Sequence, residues 1–554
     1  MPSFLLPPEV LALVFHFLLL EESPYFRKQN RGWIRVTHVC WYWRQVALDD
    51  SSLWARISGI PTNTEWVSET LARARNAPLD IDIDLGWNSN PQALSKFSPH
   101  ISHTRSLRLL CLTQLNYDSF RDICSQKAPI LEHFYLRVIG SLPLNFWDLR
   151  RTMLFKGRAP KLQTFQLLLT RHIIPWSLIP HGQLTQLKIA LIDETSTIGV
   201  APHGDLNHLI DILVNSPGLE LLVLRLCLPS QLTQFLHGPT IHLPRLSRLR
   251  LTGSSSRVTN LFRMLRMPFS TALDLRCISE TTPTHSNHLL LSVISAHFQS
   301  PVTVEFKLLS VAISYVGRRL EVAASTSLST SRNRKLRDHE FVLSFEGLSE
   351  HVDWSDFTTR VCKTLHIPNL EFLSVSAPGI VDPVNWVELF EPCTRVTTMQ
   401  ATGRGTASFV RALTTPNTNT RPGEKVKKMT RDNQDGALAQ PAGNTASPSH
   451  EPLFPKLTFM KLAKLDFAEN NHHSGILFDV VQKGLRQRKL TNRALKTLHI
   501  DNCIVSTKCA TALEMLVSKF YWDGNETLPE ESEEDFNDPW SWWEQFIDGT
   551  MRGE

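Results

Sequence analysis

The 554-residue chain has few of the features that mark an enzyme. Its nine cysteines form no Cys-x-x-Cys pair, no Gly-x-Ser-x-Gly motif occurs, and no cysteine has the local context of a catalytic thiol. His472 and His473 are adjacent, so their side chains diverge and suit a shared metal poorly. Gly403-Arg404-Gly405 lacks the further glycine and the lysine of a phosphate loop and is typical of a turn. We therefore predict no catalytic residue, no metal site and no cofactor, and we expect that the chain is not an enzyme.

The chain is also poor in features of secreted, membrane-spanning and nucleic-acid-binding proteins. From Val10 to Leu20 only His16 is polar, but a membrane-spanning helix needs about twenty apolar residues. No basic segment precedes this run, as it would in a signal peptide. With free cysteines, this predicts a protein of the cytoplasm, the nucleus or both. The net charge of +5 is small for the length and argues against nucleic acid as a partner.

What is present is a distinctive stretch of about sixty residues at the N-terminus. Pro7, Pro8 and Glu9 suit the first turn of a helix, because proline fixes φ and a carboxylate complements the helix dipole. The apolar run that follows has no polar face, so we expect it to be buried on most sides. A second helix is predicted over roughly 33–48, with Val36, Cys40, Trp43 and Ala47 on one face. A short third turn carries Leu53 and Trp54.

Four tryptophans lie in this stretch, at positions 33, 41, 43 and 54. So small a unit cannot hide that much apolar surface internally. Two interpretations follow from composition: a helical cap packed wholly on the next domain, or a module that binds a partner.

The order of these elements resembles the F-box. The matching residues are Leu6-Pro7-Pro8-Glu9-Val10, then Val39-Cys40-x-x-Trp43-Arg44, then Ser52-Leu53-Trp54. The run at 32–40, Gly-Trp-Ile-x-Val-Thr-His-Val-Cys, is similar to the F-box-like domains abundant in mushroom-forming fungi. The resemblance covers roughly residues 4–58. It departs from the family at Trp41, where many members carry a basic residue, and in a longer linker over 21–31.

The resemblance implies a three-helix module that docks on the Skp-type adaptor of cullin–RING ubiquitin ligases. By the same resemblance, eight residues face the adaptor or shape the face that does. They are Leu6, Pro7, Glu9, Val10, Val14, Val39, Cys40 and Trp43.

The rest of the chain contains a repeat of the form Leu-x-x-Leu-x-Leu. Its copies begin at Leu131, Leu162, Leu184, Leu219, Leu246, Leu370, Leu462 and Leu495, with weaker or truncated copies at Leu107, Leu273 and Val396. The spacing is mostly roughly 22 to 38 residues, near the range of leucine-rich repeats. One such unit cannot bury its apolar face alone, so the units must stack. We predict an α/β fold: a leucine-rich-repeat-like solenoid with a curved parallel sheet and outer helices. The asparagine that usually follows the strand is mostly missing, and Asn502 is the best candidate for it.

Two polar segments are predicted to interrupt the repeats, at 323–338 and 414–450. The second has too few apolar residues to offset the entropy of ordering. Before the repeats, strict alternation over 78–85 predicts a strand whose Asp80, Asp82 and Asp84 face solvent. The acidic and tryptophan-rich C-terminus suits either a terminal cap or a docking segment. We therefore divide the chain into an F-box-like domain (1–60), a first leucine-rich-repeat-like part (61–413), a disordered insertion (414–450), the last repeats (451–522) and an acidic, aromatic tail (523–554).

The resemblance to F-box proteins implies that the chain is the substrate-recognition subunit of an SCF-type ubiquitin ligase. The N-terminal helices would hold the adaptor, and through it the cullin and RING subunits, while the repeats hold a target protein. The alternative is a non-catalytic repeat scaffold whose F-box-like helices only cap the solenoid. A third reading, a nuclear protein that binds nucleic acid through the basic insertion, is disfavoured by the small net charge.

Overall fold

The computed structural model describes most of the chain in two compact units, Met1–Val302 with His339–Glu346, and Thr303–Asp338 with Gly347–Glu554. The described residues are 6–21, 32–59, 64–85, 91–112, 116–138, 154–169, 176–180, 182–191, 206–229, 232, 238–278, 285–298, 304–314, 318–328, 340–349, 352–365, 367–379, 384–414, 453–468, 470–471 and 475–525.

The first unit begins with short helices. They are α1 (Pro8–Glu21), a 3-10 helix (Gly32–His38), α2 (Trp41–Asp49) and α3 (Ser51–Trp54). The prediction of one helix over 33–48 is wrong, because the chain leaves helical geometry at Cys40 (φ −156°, ψ 169°). The Cys40 thiol caps α2 by accepting a hydrogen bond from the backbone N–H of Trp43 at 3.4 Å. This break divides the predicted helix into two segments.

A parallel sheet follows, and its strands lie side by side in chain order. They are β1 (Arg56–Gly59), β2 (Leu79–Asp84), β3 (Thr104–Leu112), β4 (His133–Val138), β5 (Thr164–Leu169), β6 (Gln186–Leu191), β7 (Leu221–Arg225), β9 (Arg248–Ser254), β11 (Ala272–Ile278) and β14 (Phe341–Glu346). The short strands β8 (Ile241–His242) and β10 (Leu265–Arg266) pair separately. The connecting helices are α4 (Thr64–Ala74), α5 (Pro91–Ser95), α6 (Tyr117–Cys124), α7 (Leu206–Val214), α8 (Ser255–Met264) and α9 (His285–Phe298), with 3-10 turns at Ser98–His103, Leu154–Gly157 and Trp176–Leu178.

The repeat motif marks the buried side of this sheet. Its second apolar position forms one column across seven strands, and each member is exposed by 2 % or less. The column consists of Leu107, Phe134, Phe165, Leu187, Leu222, Leu249 and Leu273. Because side chains alternate along a strand, the third apolar position falls on the same face two residues later. The motif therefore sets both strand position and register.

The second unit contains a further set of strands. Its strands are β12 (Leu308–Ser314), β13 (Arg319–Ser325), β15 (Phe372–Ser376), β16 (Thr398–Thr402), β17 (Phe459–Ala463), β20 (Thr497–Asp501) and β21 (Lys519–Trp522), and β18 (Asn470–Asn471) pairs with β19 (Gly475–Ile476). The helices are α10 (Trp354–Lys363), α11 (Trp386–Phe390), α12 (Ala407–Thr414), α13 (Leu477–Leu490) and α14 (Thr507–Glu514), with a 3-10 turn at Arg404–Thr406. β12 and β13 form an antiparallel hairpin, and β18 and β19 are also antiparallel, whereas β12 pairs in parallel with β15, β15 with β16, β16 with β17, β17 with β20 and β20 with β21.

Two predictions for this unit need correction. The polar segment at 323–338 is predicted to interrupt the repeats, but its first residues, Ala323 to Ser325, belong to β13. The copy that begins at Leu462 is in the wrong register, because Met460 pairs with Met399 and Leu462 with Ala401. The true copy is Leu457-x-x-Met460-x-Leu462. The curved solenoid and the domain boundaries stay predictions, and residues 415–452 and 526–554 lie outside the described residues.

Cys503, the residue after Asn502, links the end of β20 to the end of β17 and the residues that follow it. The buried Cys503 donates its thiol to the carbonyl of Leu462 at 3.6 Å and accepts the N–H of Leu465 at 3.4 Å. Asn502 instead adopts a positive φ of 50° at the end of β20. The motif here reads Leu-x-x-Leu-x-Ile-x-x-Cys, so cysteine holds the place that the prediction gave to Asn502.

One buried arginine fixes the position of the residues that precede β17. The buried Arg488 of α13 donates Nη1 to the carbonyl of Phe454 at 3.2 Å and Nη2 to the carbonyl of Leu453. Burial, and then the charge of Arg493, lower the pKa of Arg488 to about 10. Its guanidinium therefore stays charged at neutral pH and holds the residues that lead into β17.

Candidate functional site

Helix α1 buries one face and exposes the other. Leu11, Phe15 and Leu19 recur every four residues and are buried. The opposite face carries apolar side chains that are 40 % to 67 % exposed, namely Val10, Leu13, Val14, Phe17 and Leu20, and Leu6 just before the helix is 42 % exposed. The expectation that this helix is buried on most sides is therefore wrong. The described part of the chain covers only one side of it.

The buried face of α1 packs on the second helical segment. The rings of Phe15 and Trp43 lie 5.3 Å apart. Trp43 is half-buried, and its indole Nε1 is buried without a hydrogen-bond partner in the part of the chain that the structure describes. Tyr42 donates its hydroxyl to the carbonyl of Leu6 at 2.8 Å. These contacts hold the N-terminal ends of α1 and α2 together.

A polar cluster joins α1 to the start of α3. His16 Nε2 lies 3.0 Å from Asp50 Oδ2 and 3.0 Å from Ser52 Oγ. Burial alone would raise the pKa of Asp50, but hydrogen bonds from Ser52 and the proximity of His16 hold it below its usual value. A catalytic triad uses both imidazole nitrogens, one for the acid and one for the nucleophile. Here Asp50 and Ser52 both contact Nε2 of His16. The cluster therefore has a structural role: it links α1 to α3 and caps the N-terminus of α3.

A cluster of tryptophans fixes these helices to the sheet. The ring of Trp54 lies 5.1 Å from that of Trp33 and 6.3 Å from that of Trp66 in α4. The guanidinium of Arg73 lies 4.4 Å above the Trp54 ring. Trp54 also donates Nε1 to the carbonyl of Ala47 at 2.7 Å. Since β1 begins two residues after Trp54, this cluster is the joint between the helices and the first unit's sheet.

The structure places the eight residues of the predicted adaptor face as follows. Leu6, Pro7, Glu9, Val10, Val14 and Val39 are exposed, and Cys40 and Trp43 are half-buried. The prediction did not include Leu13, Phe17, Leu20 and Trp41. The first three lie on the same side of α1 as Val10 and Val14, at the three- and four-residue spacing that could have found them. Trp41, at the start of α2, is 74 % exposed.

The other candidate motifs carry no assembled site in the described residues. Cys503 is buried and forms no disulfide, and burial raises its pKa to about 11, whereas Cys509 is half-exposed and also forms no disulfide. Gly403-Arg404-Gly405 forms a tight turn, which Thr406 closes by donating its N–H to the carbonyl of Gly403 at 3.0 Å. A Cβ on Gly405 would lie 2.0 Å from the carbonyl oxygen of Gly379.

His472 and His473 lie outside the described residues. Among the residues that are described, no three His, Cys, Asp or Glu side chains cluster in a way that suits a metal ion. No described helix is long and apolar enough to cross a membrane.

Comparison with known proteins agrees with the geometry of the N-terminal helices. No curated protein matches the chain closely enough to count as a relative. A family model described as F-box-like matches residues 4–59. This range holds α1, α2, α3 and the exposed apolar face of α1. The chain therefore carries an F-box-like domain at residues 4–59.

Proposed function

We propose that this protein is the substrate-recognition subunit of an SCF-type cullin–RING ubiquitin ligase, working in the cytoplasm, the nucleus or both. The F-box-like domain binds a Skp-type adaptor, which brings the cullin and RING subunits. The leucine-rich-repeat-like remainder binds a target protein.

The exposed apolar face of α1 carries this proposal. Five apolar side chains of α1, together with Leu6 just before it, are 40 % to 67 % exposed, whereas Leu11, Phe15 and Leu19 on the other side of the helix are buried. Leaving so much contiguous apolar surface exposed is unfavourable unless a partner covers it. F-box domains generally bind Skp-type adaptors, so an adaptor is the partner that this face suits best.

The mechanism is proximity rather than bond chemistry. A receptor that holds a target beside a charged conjugating enzyme turns a bimolecular encounter into one with a high effective concentration. The adaptor and the target need separate surfaces on the receptor. The joint around Trp54 fixes the adaptor-binding helices firmly to the first sheet, so that the two surfaces keep a constant relation within that unit.

A non-catalytic scaffold is the second candidate. The same joint favours it, because the helices cover the beginning of the first sheet as a cap would. A cap alone, however, gives no reason for the apolar residues on the outer side of α1. The two functions differ in whether that outer side binds an adaptor.

Co-purification with a fungal Skp-type adaptor tests the proposal. The test variant carries Val10→Lys and Val14→Lys, at valines that are 44 % and 40 % exposed. The control is Val214→Lys, at a valine of α7 that is 49 % exposed. Each lysine at the centre of an apolar interface should cost on the order of 2 kcal/mol of binding free energy. Wild type and control should carry the adaptor, and the double variant should lose it.

Because all three valines are well exposed, the variants should melt at the wild-type temperature. If folded wild-type protein carries no adaptor, the proposal of a ligase subunit is refuted and the scaffold function is favoured. Equal loss of adaptor by the test and control variants would show that α1 is not the docking surface.

A further inference from the structure

Two rows of buried apolar side chains cross the second unit's strands and become partly exposed at β21. The rows run through β15, β16, β17 and β20, and every member is exposed by 2 % or less. Side chains in register on parallel strands share one face. On β21 the rows continue as Phe520 and Trp522, which are only half-buried. The buried members are Leu373, Met399, Met460 and Leu498 in one row and Val375, Ala401, Leu462 and Ile500 in the other.

Strand β21 is also an open edge. Among the described residues it pairs with β20 alone. An edge strand presents unpaired backbone N–H and C=O groups, and an edge with three successive aromatic residues, Phe520, Tyr521 and Trp522, is prone to association unless it is covered. The indole Nε1 of Trp522 is buried and has no hydrogen-bond partner in the same part of the chain. This edge therefore suits a cover that supplies both apolar contact and hydrogen-bond acceptors.

The chain leaves β21 through the kind of turn that ends the strands before it. A residue with positive φ stands just after β16, β17, β20 and β21, and after the first three of these strands the turn leads into the connection to the next strand. The carboxylate of Asp523 fixes the last turn, because it accepts the backbone N–H groups of Asn502 and Asn525. The chain beyond Asn525 thus starts where a further repeat would start. The four turn residues are Gly403, Lys464, Asn502 and Gly524.

The sequence that follows has the length of one more repeat. The connection from β20 to β21 spans 502–518, and the stretch 523–539, between Trp522 and Trp540, is equally long. A parallel neighbour needs a crossover of about a dozen residues or more. The register pairs Leu498 with Phe520, and the same number of residues leads from Phe520 to Trp542. We call residues 540–546, which read Trp-Ser-Trp-Trp-Glu-Gln-Phe, the tryptophan segment.

We propose that the tryptophan segment folds back beside β21 of its own chain and covers Phe520 and Trp522. A repeat array needs a terminal cap, because its last unit has no neighbour to bury its apolar side. Burial of aromatic surface on both partners drives the contact. The proposal goes beyond the proposed function and does not depend on it. It also selects the cap from the two roles that the sequence leaves open for the C-terminus.

Hydrogen exchange of the full chain, followed by mass spectrometry, tests this inference. In wild type, the amides of the tryptophan segment should exchange at least about tenfold more slowly than those of a free peptide of the same sequence. Trp522→Ala should release the segment, so that its amides exchange as in the free peptide. Tyr521→Ala is the matched control, because Tyr521 is 51 % exposed and points to the other face of the same strand. The control should keep the segment protected.

A second variant leaves the described strands untouched. It carries alanine at Trp540, Trp542 and Trp543, and we expect the amides of β21 to exchange about tenfold faster than in wild type. Its control carries alanine at three uncharged polar positions of the same tail and should exchange as wild type does. Unchanged exchange in β16 would show that both proteins keep the fold. The control positions are Ser532, Asn537 and Ser541.

Exchange of the wild-type segment at the free-peptide rate would overturn the proposal and leave the tryptophans available to a partner protein. Protection that survives Trp522→Ala, or β21 amides that ignore the loss of the three tryptophans, would overturn it as well. Light scattering should give a monomer; a dimer that the tryptophan variant dissociates would assign the segment to a second copy instead. Adaptor co-purification should be the same for all these variants, so failure of this proposal can be told from failure of the proposed function.

Discussion

Replacing Trp54 by alanine should loosen the whole N-terminal module from the first sheet. Trp54 is buried between Trp33 and Trp66, with Arg73 above its ring. Truncating a buried tryptophan costs about 3–5 kcal/mol in transfer and cavity terms. Loss of the bond to the Ala47 carbonyl adds about 0.5–1.5 kcal/mol. Loss of the cation–π contact adds about 0.5–1 kcal/mol.

The total of about 4–7.5 kcal/mol is a large part of the 5–15 kcal/mol that stabilises a typical domain. We therefore expect a lower urea midpoint for the first transition of the full chain. Adaptor binding should also weaken, because α1 loses its support.

Trp41→Ala provides the matched control. It makes the same chemical change in the same module, but at a side chain that is 74 % exposed. We expect its free energy of unfolding to stay within about 0.5 kcal/mol of wild type. Urea unfolding followed by circular dichroism measures both variants. A Trp54→Ala protein within about 1 kcal/mol of the Trp41→Ala protein would refute the account of Trp54 as the joint.

Three further outcomes follow from local geometry. Arg488→Met should lower the free energy of unfolding by about 2–4 kcal/mol, because the carbonyl of the buried Phe454 and that of the half-buried Leu453 lose their donor. Arg486→Met, on the exposed side of the same helix, should leave the free energy of unfolding within about 0.5 kcal/mol of wild type. Equal urea midpoints for the two variants would contradict this. Gly405→Ala should cost about 2 kcal/mol or more, since the new Cβ overlaps a carbonyl oxygen; an unchanged melting temperature would show that the turn can shift freely. Burial raises the pKa of Cys503 to about 11, so its reactive thiolate is scarce at pH 8 and grows as pH rises. Iodoacetamide at pH 8 should therefore label Cys509 and spare Cys503 in mass spectra of the folded protein, and labelling of both at equal rates would contradict the burial of Cys503.

The sequence predicted the strands well where the repeat kept its leucines. Leu187 and Leu222 occupy the same place in successive copies, and they stand opposite each other in the sheet. The pattern failed where another apolar residue replaced leucine. Met460 fills the place of the second leucine, and the chance leucines at 462 and 465 then gave a false register.

The hairpin of β12 and β13 and the break before α2 could not be predicted from the repeat motif or from helical periodicity. The hairpin of β12 and β13 carries alternating apolar residues without the motif, and alternation alone does not distinguish parallel from antiparallel pairing. The break before α2 was missed because the helical periodicity runs straight through it. Its cap is the thiol of Cys40, a weak acceptor that is not among the usual N-cap residues.

For the candidate site, sequence reasoning found the region but not its extent. Because α1 is apolar on all sides, its sequence has no alternation of apolar and polar faces. The sequence alone therefore does not show which side of α1 packs against the rest of the domain. Resemblance supplied Val10 and Val14. Helical spacing from those two valines would have extended the exposed side to Leu13, Phe17 and Leu20. The packing of Phe15 against Trp43 shows that this side is turned away from α2.

The contacts of Arg488 with the carbonyls of Leu453 and Phe454 have a consequence for strands that are distant in sequence. Strands β16 and β17 pair in register although more than fifty residues separate them in sequence. Arg488 fixes the far end, and α12 holds the near end through Thr414. The pairing of these two strands therefore depends on contacts that fix their ends in space, and not on closeness along the chain.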